Sequence, residues 1–341
     1  MTDLPQPYLL FVGDVAERGF AKTARGHAQW AGDKCVGEFA IGGDAVATGL
    51  PRQSPAQAVA SGARSLVIGV ANRGGIIAPA WVPALVEAIE AGLDIVSGLH
   101  VRLGSVPALA EAARRCGRTL IDIRTPPADI PVATGRKRGG KRLLTVGTDC
   151  ALGKKYTALA IARAFVARGV AADFRATGQT GIMIAGSGIP IDATICDFTA
   201  GAAEILSPDA APDHWDVIEG QGSLFHPSYA GVSLGLLHGS QPDGFVVCHQ
   251  PGRDRMLGST DFAVPDVPAV IDLTVALGSR TNSAIRCAGV SFDTSQLDEA
   301  AAEALMARES ARLGLPVADP IRGGPRLERL VDACLASADA A

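Results

Sequence analysis

The chain has 341 residues, 48% of them hydrophobic and 19% charged, with a formal net charge of −4. That length exceeds one ordinary core and implies two domains of roughly 100–200 residues each, while the apolar content excludes a disordered chain. The acidic balance argues against a nucleic-acid partner, whose binding domains are usually strongly basic, and no apolar run approaches the ~18 residues of a membrane span.

The first half alternates short apolar runs with helical patterns. YLLFVGD (8–14), SLVIGVA (65–71), LDIVSG (93–98) and TLIDIR (119–124) read as buried strands. Between them, WVPALVEAIEAG (81–92) and VPALAEAARRCG (106–117) carry apolar residues at helical spacing and end at glycine. Such alternation predicts βαβ units and a parallel sheet covered on both faces, an α/β protein.

Residues 131–142 (PVATGRKRGGKR) interrupt this pattern with Pro, Gly and five basic residues. A linker is expected there, dividing the chain into domains at 1–135 and 141–338. It reads as a solvated basic hinge; the alternative is that Arg136, Lys137, Arg138, Lys141 or Arg142 reaches an anionic ligand.

The alternation then restarts. KRLLTVG (141–147) is a strand and KKYTALAIARAFVARG (154–169) a helix. AADFRAT (171–177), WDVIEG (215–220), DGFVVCH (243–249) and IRCAGVSF (285–292) follow as strands, and residues 296–314 as an amphipathic helix. Between strand and helix lies Gly147-Thr148-Asp149-Cys150-Ala151-Leu152-Gly153-Lys154-Lys155-Tyr156. Backbone N–H groups at a helix start lack intrahelical partners and carry partial positive charge, so they bind phosphate oxygens, and Lys154 adds a mobile point charge. The spacing departs from GxxxxGK[ST] twice. Gly147 lies six residues before Gly153, which resembles the loop of dethiobiotin synthetases, and Lys155 stands where a Ser or Thr would bind the magnesium of Mg·ATP. Thr157, two residues on, is not assumed to substitute. The loop therefore reads as able to hold phosphates and less suited to cleaving them. WDVIEGQGS (215–223) is its expected partner strand, with Glu219 at the end as a metal-serving acid, a base or a capped carboxylate.

The seven cysteines are odd in number and form no CxxC pair, which fits reduced thiols better than a disulfide frame or a zinc site, so no metal is expected. Residues 1–6 lack the pattern of a signal peptide, and a soluble cytoplasmic protein follows. Apolar helix faces and a high alanine content suggest a homo-oligomer.

With these motifs in place, the chain resembles the DUF1611 family, and within it the D-glutamate N-acetyltransferases. The strings that carry the likeness run from PYLLFVGD (7–14), KTARG (22–26), VIGVANRGG (67–75) and SGLHVRL (97–103) to LLTVGTDCALGKKYTALA (143–160), RATGQTGIMIAGSGIPID (175–192), residues 213–243 with EGQGSLFHPSYAG, and GLPVADPIR (314–322). The resemblance implies a Rossmann-like N-terminal domain followed by a P-loop NTPase-like parallel-sheet domain. It also implies transfer of an acetyl group from acetyl-CoA to the amino group of D-glutamate, a small-molecule amino acid. An Asn would be expected in place of Asp293; if that Asn touches the adenine, base recognition differs here.

Acetyl transfer to an amine needs a base, donors for the thioester oxyanion and an oriented acceptor. Glu219 is the first candidate base, His226 the second and His100 a third. The stretch from Gly147, Thr148, Asp149 and Cys150 to Gly153, Lys154, Lys155 and Tyr156 is expected to hold the donor's phosphates. Cys150 as an acetyl-carrying thiolate is the less economical reading. Arginine forks match carboxylates, so Arg73, Arg102 and Arg175, all near predicted strand ends, are expected to bind the acceptor. Gln179 joins them from GQTGIMIAGSG (178–188), read as a substrate-enclosing loop. The rival readings are an ATP-dependent ligase or kinase, which would need Mg·ATP, and a nucleotide-sensing module without turnover.

Overall fold

The computed structural model describes residues 4–17 and 20–338; the side chains of Lys22 and Arg73 lie outside what is described. The chain forms two compact units, one of Met1–Pro127 with Gln179–Ala193, the other of Ala128–Gly178 with Thr194–Ala341.

The first unit begins with β1 (Tyr8–Gly13), whose six residues are all buried. It continues through α1 (Lys22–Ala31), β2 (Cys35–Ala40), α2 (Pro55–Ala60), β3 (Ser65–Ile68), α3 (Val82–Ala91), β4 (Asp94–Ser97), α4 (Pro107–Cys116) and β5 (Leu120–Asp122). The strands pair in parallel in the order β2-β1-β3-β4-β5. Helices α3 and α4 stop at Gly92 (φ 107°) and Gly117 (φ 63°), left-handed positions that glycine tolerates. Leu9, Phe11, Leu66, Ile68, Leu85, Ile89, Ile95 and Leu109 fill one core. Strand β2 escapes the sequence pattern because it is the sheet's edge: only two of its six residues are buried, so it shows no apolar run.

The second unit opens with β6 (Lys141–Gly147), α5 (Lys154–Ala167) and β7 (Ala172–Arg175). The chain then makes α6 (Gln179–Ala185), which belongs to the first unit. It returns for α7 (Thr199–Leu206), β8 (Trp215–Ile218), α8 (Ala230–Ser240), β9 (Gly244–His249), an antiparallel pair β10 (Arg255–Met256) and β11 (Ser259–Ala263), α9 (Val267–Gly278), β12 (Arg286–Phe292), α10 (Glu299–Leu313), β13 (Val317–Ala318) and α11 (Gly324–Ala336). Its six-stranded sheet, ordered β13-β12-β9-β6-β8-β7, is parallel throughout. Strand β6 thus lies between β9 and β8, inside the sheet.

Two expectations change. Residues 179–185 are a helix, not an enclosing loop, because Gly181, Ile182, Met183 and Ile184 bury themselves in the first unit. Lys34 Nζ donates to the carbonyls of Ile184 and Ala185 at 3.3 and 3.1 Å, closing the end of that helix. The basic segment is not a solvated hinge either. Arg138 is 7% exposed and Arg142 fully buried. The Arg138 guanidinium donates to the carbonyls of Ser207 and Gly239, each at 2.7 Å, and that of Arg142 to the carbonyls of Gly139 at 2.8 Å and Pro208 at 3.0 Å. Carbonyls at the ends of α7 and α8 lack intrahelical partners and attract cations, and these arginines supply them. Burial pushes the Arg138 pKa down to about 10 and lowers that of Arg142 as well. No helix among the described residues is long and apolar enough to cross a membrane.

Candidate active site

The phosphate loop is built as its sequence suggests and held by residues its sequence does not name. Strand β6 ends at Gly147, and Gly153, at φ 89°, delivers the chain into α5 with Lys154 as its first residue. No side chain caps the helix, so its first N–H groups face the loop. Lys154 is 7% exposed and folds back to donate from Nζ to the Asp149 carbonyl at 2.7 Å. Burial lowers its pKa.

Asp149 organises this loop. It is fully buried; Oδ1 accepts from the Cys150 N–H at 2.6 Å, and Oδ2 accepts from Arg253 Nη1 at 3.1 Å and from the Leu257 N–H at 2.8 Å. Arg253 also donates to the Cys150 carbonyl at 2.7 Å. On the other side, the Thr148 hydroxyl and His249 Nδ1 share a hydrogen bond of 3.0 Å, and burial lowers the His249 pKa. Neither Arg253 nor His249 was singled out from the sequence. The signal was their position: both sit at or just beyond the end of β9, next to β6 in the sheet, where α/β folds gather functional groups.

Glu219 follows β8 and is 5% exposed. Its Oε2 accepts from the N–H groups of Thr177 at 3.0 Å and Gly178 at 3.1 Å. Gly220 is required beside it, since a Cβ there would lie 1.6 Å from the Thr145 carbonyl oxygen. Lys155 is partly buried, its Nζ 4.3 Å over the Tyr156 ring. Burial lowers its pKa and the Glu219 carboxylate opposes that shift. Thr157 points into the core, where its hydroxyl meets Ser291 Oγ at 2.8 Å; it does not replace the missing Ser or Thr.

His226 is 1% exposed and its ring packs on Tyr229 with centroids 4.6 Å apart. Nδ1 accepts from the Ser228 N–H at 3.2 Å, which puts the ring proton of the neutral form on Nε2, towards the Leu257 carbonyl at 3.4 Å and Asp149 Oδ1 at 3.9 Å. That arrangement steadies the loop rather than offering a lone pair to a substrate. Burial raises the Cys150 thiol's pKa, the wrong direction for a thiolate carrier. Ligand atoms of Asp149, Cys150 and His226 lie within 4.8 Å of one another, but Asp149 already spends both oxygens on N–H groups.

The expected acceptor residues separate. Arg175 ends β7, yet its guanidinium turns back along the strand to Asp216 Oδ1 at 2.7 Å and Asp173 Oδ2 at 3.1 Å, away from the loop. Arg102 is exposed near Asp122 in the first unit, and the Arg73 side chain lies outside the described residues. Gln179 does line a cleft. This space of about 180 Å³ opens at the carboxyl ends of β3 and β4, bordered by Thr23, Asn72, His100, Arg124 and Met183. Arg124 is fixed there by Nε to the Gly98 carbonyl at 3.1 Å and Nη1 to Asp192 at 2.6 Å. Asp293 accepts the Ser295 N–H on Oδ1 at 3.1 Å, a local turn contact.

A parallel sheet whose interior strand runs through a Gly-Lys loop into a helix defines a P-loop domain, and the five-stranded parallel sheet before it is Rossmann-like. The chain belongs to the DUF1611 family: residues 131–331 match its P-loop domain and residues 37–126 its Rossmann-like N-terminal domain, both described as domains of unknown function. It is 49% identical over 330 residues to a D-glutamate N-acetyltransferase of Tritonibacter scottomollicae, covering 97% of this chain and 98% of that protein. It is 46% identical over 318 residues to a D-glutamate N-acetyltransferase of a Pseudoalteromonas species, covering 93% and 96%. The crystal structure of a DUF1611 family protein from Anabaena variabilis superposes with a TM-score of 0.83 at 31% identity, over 97% of this chain and 99% of that one.

Proposed function

We propose that this chain is an acyltransferase that moves an acetyl group from acetyl-CoA to the amino group of D-glutamate. The observation that carries the reading is the near full-length likeness to two D-glutamate N-acetyltransferases at 49% and 46% identity. The loop chemistry supports it. Coenzyme A offers a diphosphate and a 3′-phosphate, and the N–H groups at the start of α5 with Lys154 suit such oxygens. A loop lacking the magnesium hydroxyl is at no disadvantage where the phosphates stay intact.

Glu219 serves as the base that takes the proton from the acceptor ammonium. Two N–H donors fix Oε2, so the carboxylate's orientation is set before substrate arrives. His226 acts through Asp149, holding the loop. In the first unit's own cleft, Gln179 and Arg124, the latter already paired with Asp192, are donor groups suited to an anionic ligand. All seven cysteines are free, which supports a cytoplasmic location; a homo-oligomer completes the proposal.

Purified protein is incubated with D-glutamate and either acetyl-CoA or Mg·ATP while free thiol and ADP are followed. Thiol release that depends on D-glutamate is expected. ADP release instead would establish the ligase or kinase reading, and binding with neither product would make the chain a sensing module.

A further inference from the structure

Loops of this fold hold their phosphates with a magnesium ion that is itself held by the hydroxyl after the P-loop lysine and by a strand-end acid. Magnesium demands about six oxygens in near-ideal octahedral geometry. The residues here do not fit that ion. The hydroxyl position is Lys155, and Thr157 is turned into the core against Ser291. Asp149, the other carboxylate in the loop, accepts three N–H bonds on its two oxygens. Glu219 remains as the strand-end acid, with two backbone N–H groups already on Oε2.

We infer that this P-loop grips a diphosphate without a divalent cation, the Lys155 ammonium taking the place that magnesium has in related loops. The inference rests on the reading that residues 147–156 hold phosphates and goes beyond it by naming the cation. Three features carry it. Lys155 occupies the residue position of the magnesium hydroxyl, so a dication there would meet a like charge instead of a ligand. The ammonium is steadied over the Tyr156 ring at 4.3 Å, a favourable cation–π distance. Lys154 and Lys155 together supply two positive charges, matching a diphosphate without any metal. A diphosphate neutralised by fixed ammonium groups, with no metal to activate an attacking oxygen, is bound and left whole, as a carrier's must be.

Titration calorimetry of the full chain with coenzyme A and with ADP, each in EDTA and in excess magnesium chloride, tests this. Affinities that agree within about twofold between the two buffers are expected. Lys155→Thr restores the hydroxyl and is expected to make ADP binding at least about tenfold tighter with magnesium than without. A wild-type affinity that rises about tenfold with magnesium overturns the inference. So does a manganese signal bound in the ADP complex by electron paramagnetic resonance, or a Lys155→Thr chain indifferent to magnesium. Metal-free ADP binding with no response to coenzyme A would leave the inference standing and remove the acetyl-CoA reading. Magnesium-dependent coenzyme A binding would do the reverse, and no binding of either ligand in either buffer would overturn both.

Discussion

The carboxyl ends of the two parallel sheets each lie at a reversal of strand order and are finished in opposite ways. In the first unit, β1 and β3 lie side by side although β2 comes between them in the chain, and at such a reversal two loops diverge and leave space. That space stays open: Asn72, His100, Arg124 and Gln179 border about 180 Å³. In the second unit the corresponding place is filled by the chain itself. Asp149, Arg253, Lys154 and Glu219 are committed to one another or to backbone groups. The lesson is that the fold determines where a ligand goes, while the degree of mutual saturation among polar groups determines how it is held. The first end offers side chains to a small ligand; the second offers a rigid frame of N–H groups and fixed charge.

Mutations sharpen this contrast, beginning with the frame. Gly220→Ala drives a Cβ against the Thr145 carbonyl, and a loss of about 4 kcal/mol or more is expected in chemical denaturation. Gly104→Ala in the first unit meets nothing within 4 Å and should change stability by no more than about 0.5 kcal/mol. Comparable losses at both sites would erase the distinction between a saturated and an open end.

Next comes the ligand. Lys154→Ala removes the cation donating into the loop; acetyl-CoA affinity should fall about 30- to 100-fold by calorimetry, the worth of a charge-assisted hydrogen bond, with the KM for D-glutamate little changed. Arg124→Met, which removes the pair with Asp192 at the first unit's cleft, should leave acetyl-CoA affinity within about twofold of the parent chain. If Arg124→Met weakens acetyl-CoA as much as Lys154→Ala does, the two ends do not divide the work.

The smallest effect is one of pH. Burial holds the His249 pKa below the ordinary imidazole value, so the unfolded chain takes up a proton below about pH 6.5 that the native state resists. The stability tied to this neutral ring is complete above that pH and declines as the pH falls towards the folded value. His249→Gln should flatten the melting-temperature profile below about pH 6.5 relative to the parent chain. An unchanged acid slope would assign it to other groups.

Much of the second unit's end was legible in the sequence because its signals are local. An apolar run, a Gly-Lys pair and a helical repeat are contiguous between residues 141 and 169, and the covalent chain alone brings them together. Glu219 was legible for the same reason, as the polar end of an apolar strand. Less local features misled. Arg175 looked poised at a strand end, but its direction depends on Asp216 of the neighbouring strand, 41 residues away. Arg138 and Arg142 looked solvated, and only the packing of α7 and α8 reveals the carbonyls that bury them.

From sequence alone came the alternation that makes two parallel sheets, the phosphate loop, the lysine in the magnesium position and the family strings. These rest on hydrophobic period, backbone freedom at glycine and residue identity, all properties of neighbours in the chain. Tertiary structure alone decided that α6 joins the first unit, that Arg253 and His249 brace the loop, and that Thr157 turns into the core against Ser291. Each of these depends on which distant group lies within a few ångströms, and hydrogen bonding and charge act over that distance and not along the sequence.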